Sequence, residues 1–294
     1  MIKTCLKFLL CMAIYAIVFI AASAAMPFSQ GFSEFSALIL EEHPAAMLPQ
    51  FAFIAWICFA ARFIIRRARC DGKKLFARLF PAIFLTVYFI TFVGAMYSVD
   101  AFGGNMTRLD FALIMLNGLL ALLITLPALI RLFRNKDAPA DAAAANPERP
   151  KAGAGTVAAR LGILGIAYLG AYLVFAVLVQ WQFEEFRAFY YNTPWGQTVW
   201  GGNLSGLPVF ISFQLIRGIL NGLFILPLLS LIDKKKPFIV AACLVYVAPA
   251  LNHLAPNPMM PDAVRLLHLV AMSGTMLLYG IIAGNVLWGK SKKQ

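Results

Sequence analysis

A short polar stripe interrupts the apolar segment 207–232. Gln214, Arg217 and Asn221 are spaced i, i+3 and i+7, so in a helix they lie on one face. An arginine in the middle of a membrane-spanning helix costs roughly 2.5–3.5 kcal/mol on insertion scales, so its charge has to be relieved. A guanidinium and two amides on one face can bind an anion by hydrogen bonding and charge.

The charge of Arg217 can be relieved in two ways. Its side chain can extend to the lipid headgroups, or it can face the helix bundle and pair with Glu184 or Glu185. The second interpretation is favoured by a helical spacing of i, i+4, i+7 and i+11 among Gln180, Glu184, Arg187 and Tyr191. It predicts a helix that continues past the membrane surface and holds the carboxylates over the mouth of a cavity.

A second group of polar residues lies near the start of the last apolar segment. Arg265 and His268 fall in its first turns, and Asp262 after Pro261 is predicted to cap it. The free amides and positive end of such a helix favour an anion, although the pair can equally anchor the helix at the membrane surface. His253 and His268 have no metal-ligand spacing, so we predict no metal and no cofactor.

These polar residues are expected at similar depths in the membrane. At about 1.5 Å per helical residue from the nearest basic boundary, most of them approach one membrane surface, and all belong to the second half of the chain. The sequence therefore predicts a common ligand-binding pocket and no catalytic residue. The predicted ligand-binding residues are Gln180, Glu184, Arg187, Gln214, Arg217, Asn221, His253, Arg265 and His268.

Three classes of function are compatible with such a pocket. The first is binding or movement of a small anionic solute or a lipid headgroup through an outward-facing polar pocket. The second is a structural or accessory subunit of a membrane complex. The third is an intramembrane enzyme that uses Glu184 and His268 as acid and base.

The composition excludes a water-soluble protein. Hydrophobic residues make up 61% and charged residues 13% of the 294 residues, about half the charge that soluble domains usually carry. Disordered chains and disulfide scaffolds are excluded by the same composition. Eight apolar stretches are long enough to cross a membrane, and in lipid each is expected to be a helix. They are 8–26, 45–65, 79–97, 110–130, 161–180, 207–232, 237–254 and 264–288.

Basic residues are concentrated at the two ends of the chain and in every second segment between these stretches. All lysines and arginines except Arg108, Arg187, Arg217 and Arg265 fall in the terminal or intervening segments that share one side of the membrane. Because cytoplasmic segments collect Lys and Arg, the N- and C-termini are predicted to be cytoplasmic. This topology explains the net charge of +12 without a nucleic-acid partner.

The chain divides into two halves with the same plan. Residues 1–134 and 159–294 each contain four apolar stretches, and the Ala-, Pro- and charge-rich segment 135–158 is predicted to be a flexible cytoplasmic linker. The fold class is therefore an all-α integral membrane protein of eight helices, and the shared plan suggests a 4+4 parallel topological repeat. The first helix also matches a secretory signal, either cleaved or uncleaved. The first half is expected to be mainly scaffold or partner surface.

Two short segments of the second half resemble known sequences. RAFYYNTPWG (187–196) and NPMMPDAVRLLH (257–268) resemble stretches of uncharacterised bacterial polytopic inner-membrane proteins. The resemblance implies a multi-pass protein of the bacterial inner membrane but no activity. The expected partners are membrane lipids, with another membrane protein as a second candidate.

Overall fold

The structure, a computed structural model, describes residues 2–42, 47–68, 70–97, 106–135, 153–191, 196–197, 204–256 and 260–289. The described residues form helices and contain no strand. Six of these helices are uninterrupted: α1 (Ile2–Ala25), α2 (Gln30–Glu42), α3 (Met47–Ile65), α5 (Arg108–Phe133), α7 (Glu184–Tyr191) and α10 (Asp262–Trp288). Two of them contain a π-helical turn: α4 (Gly72–Phe84, the turn Leu85–Phe89, and Ile90–Tyr97) and α6 (Ala154–Phe175 and the turn Ala176–Gln180). Two more contain 3₁₀ turns: α8 (the turn Leu204–Gly206, then Leu207–Ile225 and the turn Leu226–Ser230) and α9 (Lys235–Val247 and the turn Ala248–Leu254).

Eight of these helices are long and apolar enough to cross a membrane: α1, α3, α4, α5, α6, α8, α9 and α10. They coincide with the eight predicted stretches. Large apolar side chains on their outer faces are exposed, Ile17, Ile124 and Ile166 among them, which suits contact with lipid. The all-α polytopic fold predicted from the sequence is thus confirmed.

Most of the spanning helices begin earlier than the sequence indicates, and α4 and α6 each begin seven residues earlier. α4 begins at Gly72 because Asp71 caps it, its Oδ1 accepting a hydrogen bond from the Lys74 amide at 2.8 Å. α6 begins at Ala154, so the last residues of the predicted linker are helical. Residues 136–152 of that linker lie outside the described residues.

A buried carboxylate fixes the short helix α2 to the start of α5. Thr107 and Asp110 form a capping box at the start of α5. The same Asp110 accepts hydrogen bonds from the Ser29 amide at 2.8 Å and the Ser29 hydroxyl at 2.7 Å. Since Ser29 directly precedes α2, one side chain joins the beginnings of two helices.

The packing of the eight long helices is partly shared by the two halves. In the first half α1 packs on α3 and α5, and α4 packs on α5; in the second half α6 packs on α8 and α10, and α9 packs on α10. α3 also packs on α5, whereas the corresponding helices α8 and α10 make no comparable contact. Between the halves α3 packs on α9, and α4 packs on α8 and α9. When the helices of the two halves are matched in chain order, the contact of α3 with α9 corresponds to that of α8 with α4.

Glycines permit the closest helix contacts in the second half. A Cβ at Gly218 of α8 would lie 2.5 Å from Tyr168 Cβ and 2.9 Å from Gly165 Cα, both in α6. A Cβ at Gly284 of α10 would lie 2.9 Å from the Cα of Ile239 in α9. The small residues therefore let backbones approach each other, as such motifs do in membranes.

One end of the bundle collects the basic side chains. The Arg78 guanidinium at the start of α4 donates to the Ser230 carbonyl at the end of α8, at 3.5 Å. The Arg160 guanidinium at the start of α6 donates to the Leu287 carbonyl at the end of α10, at 3.0 Å. These contacts place helix ends that carry Lys and Arg together. We call this end the basic end.

Candidate functional site

A small pocket lies between α6, α8 and α10, away from the basic end. Its volume is about 120 Å³, which is room for several water molecules. The lining residues are Gly94 of α4; Tyr168, Tyr172, Ala176 and Gln180 of α6; Tyr190 of α7; Phe210, Phe213, Gln214 and Arg217 of α8; and His268, Ala271, Met272, Thr275 and Met276 of α10.

Helical spacing explains why these side chains converge. The lining residues of α6 recur every four positions, and those of α8 and α10 recur every three or four, so each set lies along one helix face. The last turn of α6, which carries Gln180, is π-helical. Such turns occur often at functional sites because they redirect the side chains of a helix.

Arg217 enters the pocket without a counter-ion among the described residues. Its guanidinium lies against Gly94, where an added Cβ would be 3.7 Å from Arg217 Cζ. It also lies over the Tyr168 ring, with Cζ 5.7 Å from the ring centroid. Its Nε is buried and has no hydrogen-bond partner within the described part of the chain. A cation–π contact offsets only part of the cost of such a charge.

The amides on the same face of α8 also have unused hydrogen-bonding atoms. Gln214, which lines the pocket, has its Oε1 buried without a partner among the described residues. Asn221 lies one turn deeper than Arg217 and is fully buried, with Oδ1 and Nδ2 both unpartnered there. Buried polar groups are normally satisfied, so these atoms are expected to bind water or a ligand.

His268 is held from both sides of its ring. The Gln180 amide nitrogen donates to Nδ1 at 3.3 Å, which leaves the proton on Nε2 to be donated to the Tyr190 hydroxyl at 2.6 Å. Burial raises the pKa of the Tyr190 hydroxyl, so this group stays protonated. The imidazole is therefore fixed in orientation at the wall of the pocket.

His253 and Arg265 form a layer behind the pocket and do not line it. The His253 ring stacks on the His268 ring with a centroid distance of 5.1 Å. Arg265 donates to Asp262 Oδ1 at 2.8 Å and to the carbonyl oxygens of His253 and Leu254 at 2.9 and 3.0 Å. The hydrogen bonds of Arg265 therefore hold the end of α9 on the start of α10. Asp262 is the first residue of α10 and pairs with Arg265, whereas Pro261 occupies the cap position predicted for Asp262.

The prediction of one continuous helix from Gln180 to Tyr191 is wrong. α6 ends at Gln180, the chain turns at residues 181–182, and the separate helix α7 begins at Glu184. Phe186 and Tyr190 of α7 pack on Val264 near the start of α10. Burial of these rings brings α7 back over α10, where Tyr190 reaches His268.

The predicted pairing of Arg217 with Glu184 or Glu185 is also wrong. Neither carboxylate forms an ion pair with Arg217 in the described residues, and both are exposed. The reason is the turn after Gln180, which places Glu184 outside the pocket lining. Arg187 also lies outside the lining and donates to the Trp181 carbonyl.

The structure thus brings four of the predicted residues, Gln180, Gln214, Arg217 and His268, into one pocket. Glu184, Arg187, Asn221, His253 and Arg265 lie outside its lining. The acid–base pairing of Glu184 with His268 has no support in this arrangement. The described residues contain no group of three potential metal ligands.

The aromatic walls of the pocket and the contribution of the first half were not predicted from the sequence. Tyr168 and Tyr172 could have been found by extending the four-residue spacing back from Gln180. Tyr190 lies in a segment whose many aromatic residues are also typical of a membrane interface. Gly94 carries no signal of its own, because its contribution is the space it leaves for the Arg217 guanidinium.

Electrostatically the pocket is positive. Arg217 is the charged residue of the lining, and no acidic side chain of the described residues contributes to it. The amides of Gln180 and Gln214 and the hydroxyl of Tyr190 add hydrogen-bonding capacity, whereas both ring nitrogens of His268 are already engaged. The arrangement can bind an anionic group by charge and hydrogen bonds.

No protein-family model matches the chain, and no curated protein or solved structure matches it.

Proposed function

We propose that this polytopic membrane protein binds a small anionic group, a carboxylate or a phosphate, in the pocket around Arg217. The proposal rests on the Arg217 guanidinium, which has no carboxylate partner among the described residues. A charge in that position is costly, and an anionic ligand would relieve the cost.

The size and walls of the pocket narrow the range of ligands. A cavity of about 120 Å³ accepts a small acid or the anionic part of a larger molecule. Tyr168, Tyr172 and Phe210 form walls that favour an apolar portion next to the anionic group. Both a small organic anion and a lipid headgroup meet this description.

The proposed location is the bacterial inner membrane, as the resemblance of residues 187–196 and 257–268 implies. Because Lys and Arg concentrate on the cytoplasmic side of such proteins, the basic end would face the cytoplasm together with both termini. The pocket would then face outward, and its ligand would come from the outer side of the membrane.

The test compares Arg217→Gln with the wild type in detergent and in nanodiscs. Acetate, inorganic phosphate and an acidic phospholipid are the probes, and thermal unfolding and native mass spectrometry are the readouts. A ligand at 100 times its Kd stabilises the folded state by about 2.7 kcal/mol. We expect that stabilisation in the wild type and its loss in Arg217→Gln. Arg187→Gln is the matched control, because it removes an arginine outside the lining.

Gly94 supplies a second pair of variants if Arg217→Gln folds poorly. A Cβ at Gly94 would make ordinary van der Waals contact with Arg217 Cζ at 3.7 Å, so Gly94→Ala is expected to bind normally. Gly94→Leu would displace the guanidinium and is expected to abolish binding. If no probe stabilises the wild type, or if both arginine variants bind every probe as tightly as the wild type, the proposal is wrong.

A further inference from the structure

A second cavity lies at the basic end, on the opposite side of the molecule from the Arg217 pocket. It is formed where the start of α4 meets the end of α5, and its volume is about 740 Å³. The lining consists of Asp71, Gly72, Lys73 and Phe76 of the α4 side and Pro127, Ile130, Arg131 and Arg134 of the α5 side. We call this cavity the α4–α5 groove.

The charge of the groove is unbalanced. Lys73, Arg131 and Arg134 line it together with one acidic residue, Asp71. The Asp71 carboxylate is already engaged, because it accepts from the Lys74 amide at 2.8 Å and pairs with Lys74 Nζ at 3.6 Å. Three cationic side chains therefore face a common space with no acidic partner among the described residues.

Close packing of the two helices keeps these cations together. A Cβ at Gly72 would lie 3.5 Å from Ile130 Cγ2 and 3.7 Å from Arg134 Nη1. Both distances are ordinary van der Waals contacts, so the start of α4 lies directly on the last turn of α5 and beside the Arg134 guanidinium.

The floor of the groove is apolar and continues toward the membrane. Phe76 and Pro127 lie one to two turns further into the spanning segments of α4 and α5 than the cations do. Pro127 is exposed on the helix surface. A ligand with an anionic head and an apolar tail matches this order, with the head at the helix ends and the tail along the lipid-facing surface.

We propose that the α4–α5 groove binds the phosphate of an acidic phospholipid. Lys73, Arg131 and Arg134 contact the phosphate, and Phe76 and Pro127 contact the start of the acyl chains. Basic cavities between spanning helices bind acidic lipid headgroups in this manner. The groove is open, and its volume of about 740 Å³ leaves room for a lipid headgroup.

The proposal is independent of the function proposed for the Arg217 pocket. The two cavities share no lining residue and lie at opposite ends of the bundle. Arg217→Gln is accordingly expected to leave lipid binding at the groove unchanged.

The experiment measures lipid binding to the purified full chain by native mass spectrometry, titrating phosphatidylglycerol and phosphatidylcholine in parallel. The test variant is Lys73→Gln/Arg131→Gln/Arg134→Gln. The matched control is Lys234→Gln/Lys235→Gln/Lys236→Gln, which removes the same charge from exposed lysines at the same end but outside the groove. We expect wild type and control to prefer phosphatidylglycerol, and the groove variant to bind it on the order of 100-fold more weakly.

A charge-conserving variant and a soluble ligand complete the experiment. Arg131→Lys/Arg134→Lys retains charge and is expected to retain binding, so it separates a charge effect from a packing effect if the triple variant unfolds. Soluble glycerol phosphate is expected to bind much more weakly than the lipid. Equal weakening in the groove variant and the control, unchanged binding in the groove variant, lost binding in the lysine variant, or equal affinity for glycerol phosphate would each overturn the proposal.

Discussion

At the level of single residues, the polar groups of the pocket differ in whether their hydrogen-bonding atoms have partners. His268 is satisfied on both ring nitrogens by Gln180 and Tyr190, whereas Arg217 retains a buried Nε without a partner among the described residues. The first arrangement fixes geometry, and the second leaves a charge available. This division makes Arg217 the anion-binding group of the proposal and makes His268 part of a rigid wall.

The hydrogen bond between Tyr190 and His268 leads to a stability prediction. Tyr190→Phe removes the hydroxyl that lies 2.6 Å from His268 Nε2 and leaves a buried imidazole nitrogen unsatisfied. We expect a loss of about 1–3 kcal/mol in the free energy of unfolding. The neighbouring Tyr191→Phe is the control, because Tyr191 is 51% exposed and should tolerate the change. Equal stability of the two variants in denaturant unfolding would contradict the assignment.

At the scale of elements, interruptions in the helices decide where side chains point. The π-helical turn Ala176–Gln180 ends α6, and the following turn sends α7 back over α10. The contacts of α7 with Val264 then bring Tyr190 to the pocket. Close packing of α8 on α6 at Gly218 holds the Arg217 face of α8 toward the same space.

The contact of α8 with α6 can be tested at Gly218. Gly218→Ala would place a Cβ 2.9 Å from the Leu164 carbonyl oxygen, which cannot move without shifting the backbone of α6. We expect a loss of about 1–3 kcal/mol in unfolding free energy from this overpacking. Gly170→Ala in α6 is the control, since nothing lies within 4 Å of its added Cβ. If thermal unfolding shows Gly218→Ala to be as stable as Gly170→Ala, the helices are not packed as described.

At the scale of the whole molecule, two four-helix halves meet through α3 with α9 and α4 with α8. The contact of α4 with α8 brings Gly94 of the first half against Arg217 of the second half. The first half therefore contributes directly to the pocket, in addition to forming scaffold. The first half also forms a cavity of its own, because all lining residues of the α4–α5 groove belong to it.

The proposed orientation in the membrane can be measured with cysteine variants. Lys235→Cys at the basic end is expected to react with an impermeant maleimide only after the membrane is opened. Tyr191→Cys, beside the pocket, is expected to react in intact spheroplasts. Labelled peptides are identified by mass spectrometry against the unsubstituted chain, whose native thiols provide the background. The reverse pattern would place the basic end outside and contradict the charge argument.

The eight helices could be predicted from residue order alone, because a stretch of about 20 apolar residues in lipid has to satisfy its own backbone hydrogen bonds. The sequence also identified Gln180, Gln214, Arg217 and His268, since polar residues in such stretches are costly enough to be informative. The exclusion of Glu184 from the lining, and the contributions of Gly94 and Tyr190 to it, could not be predicted in this way. Helix periodicity is a local property, whereas the turn after Gln180 and the contact between the halves depend on packing between distant segments.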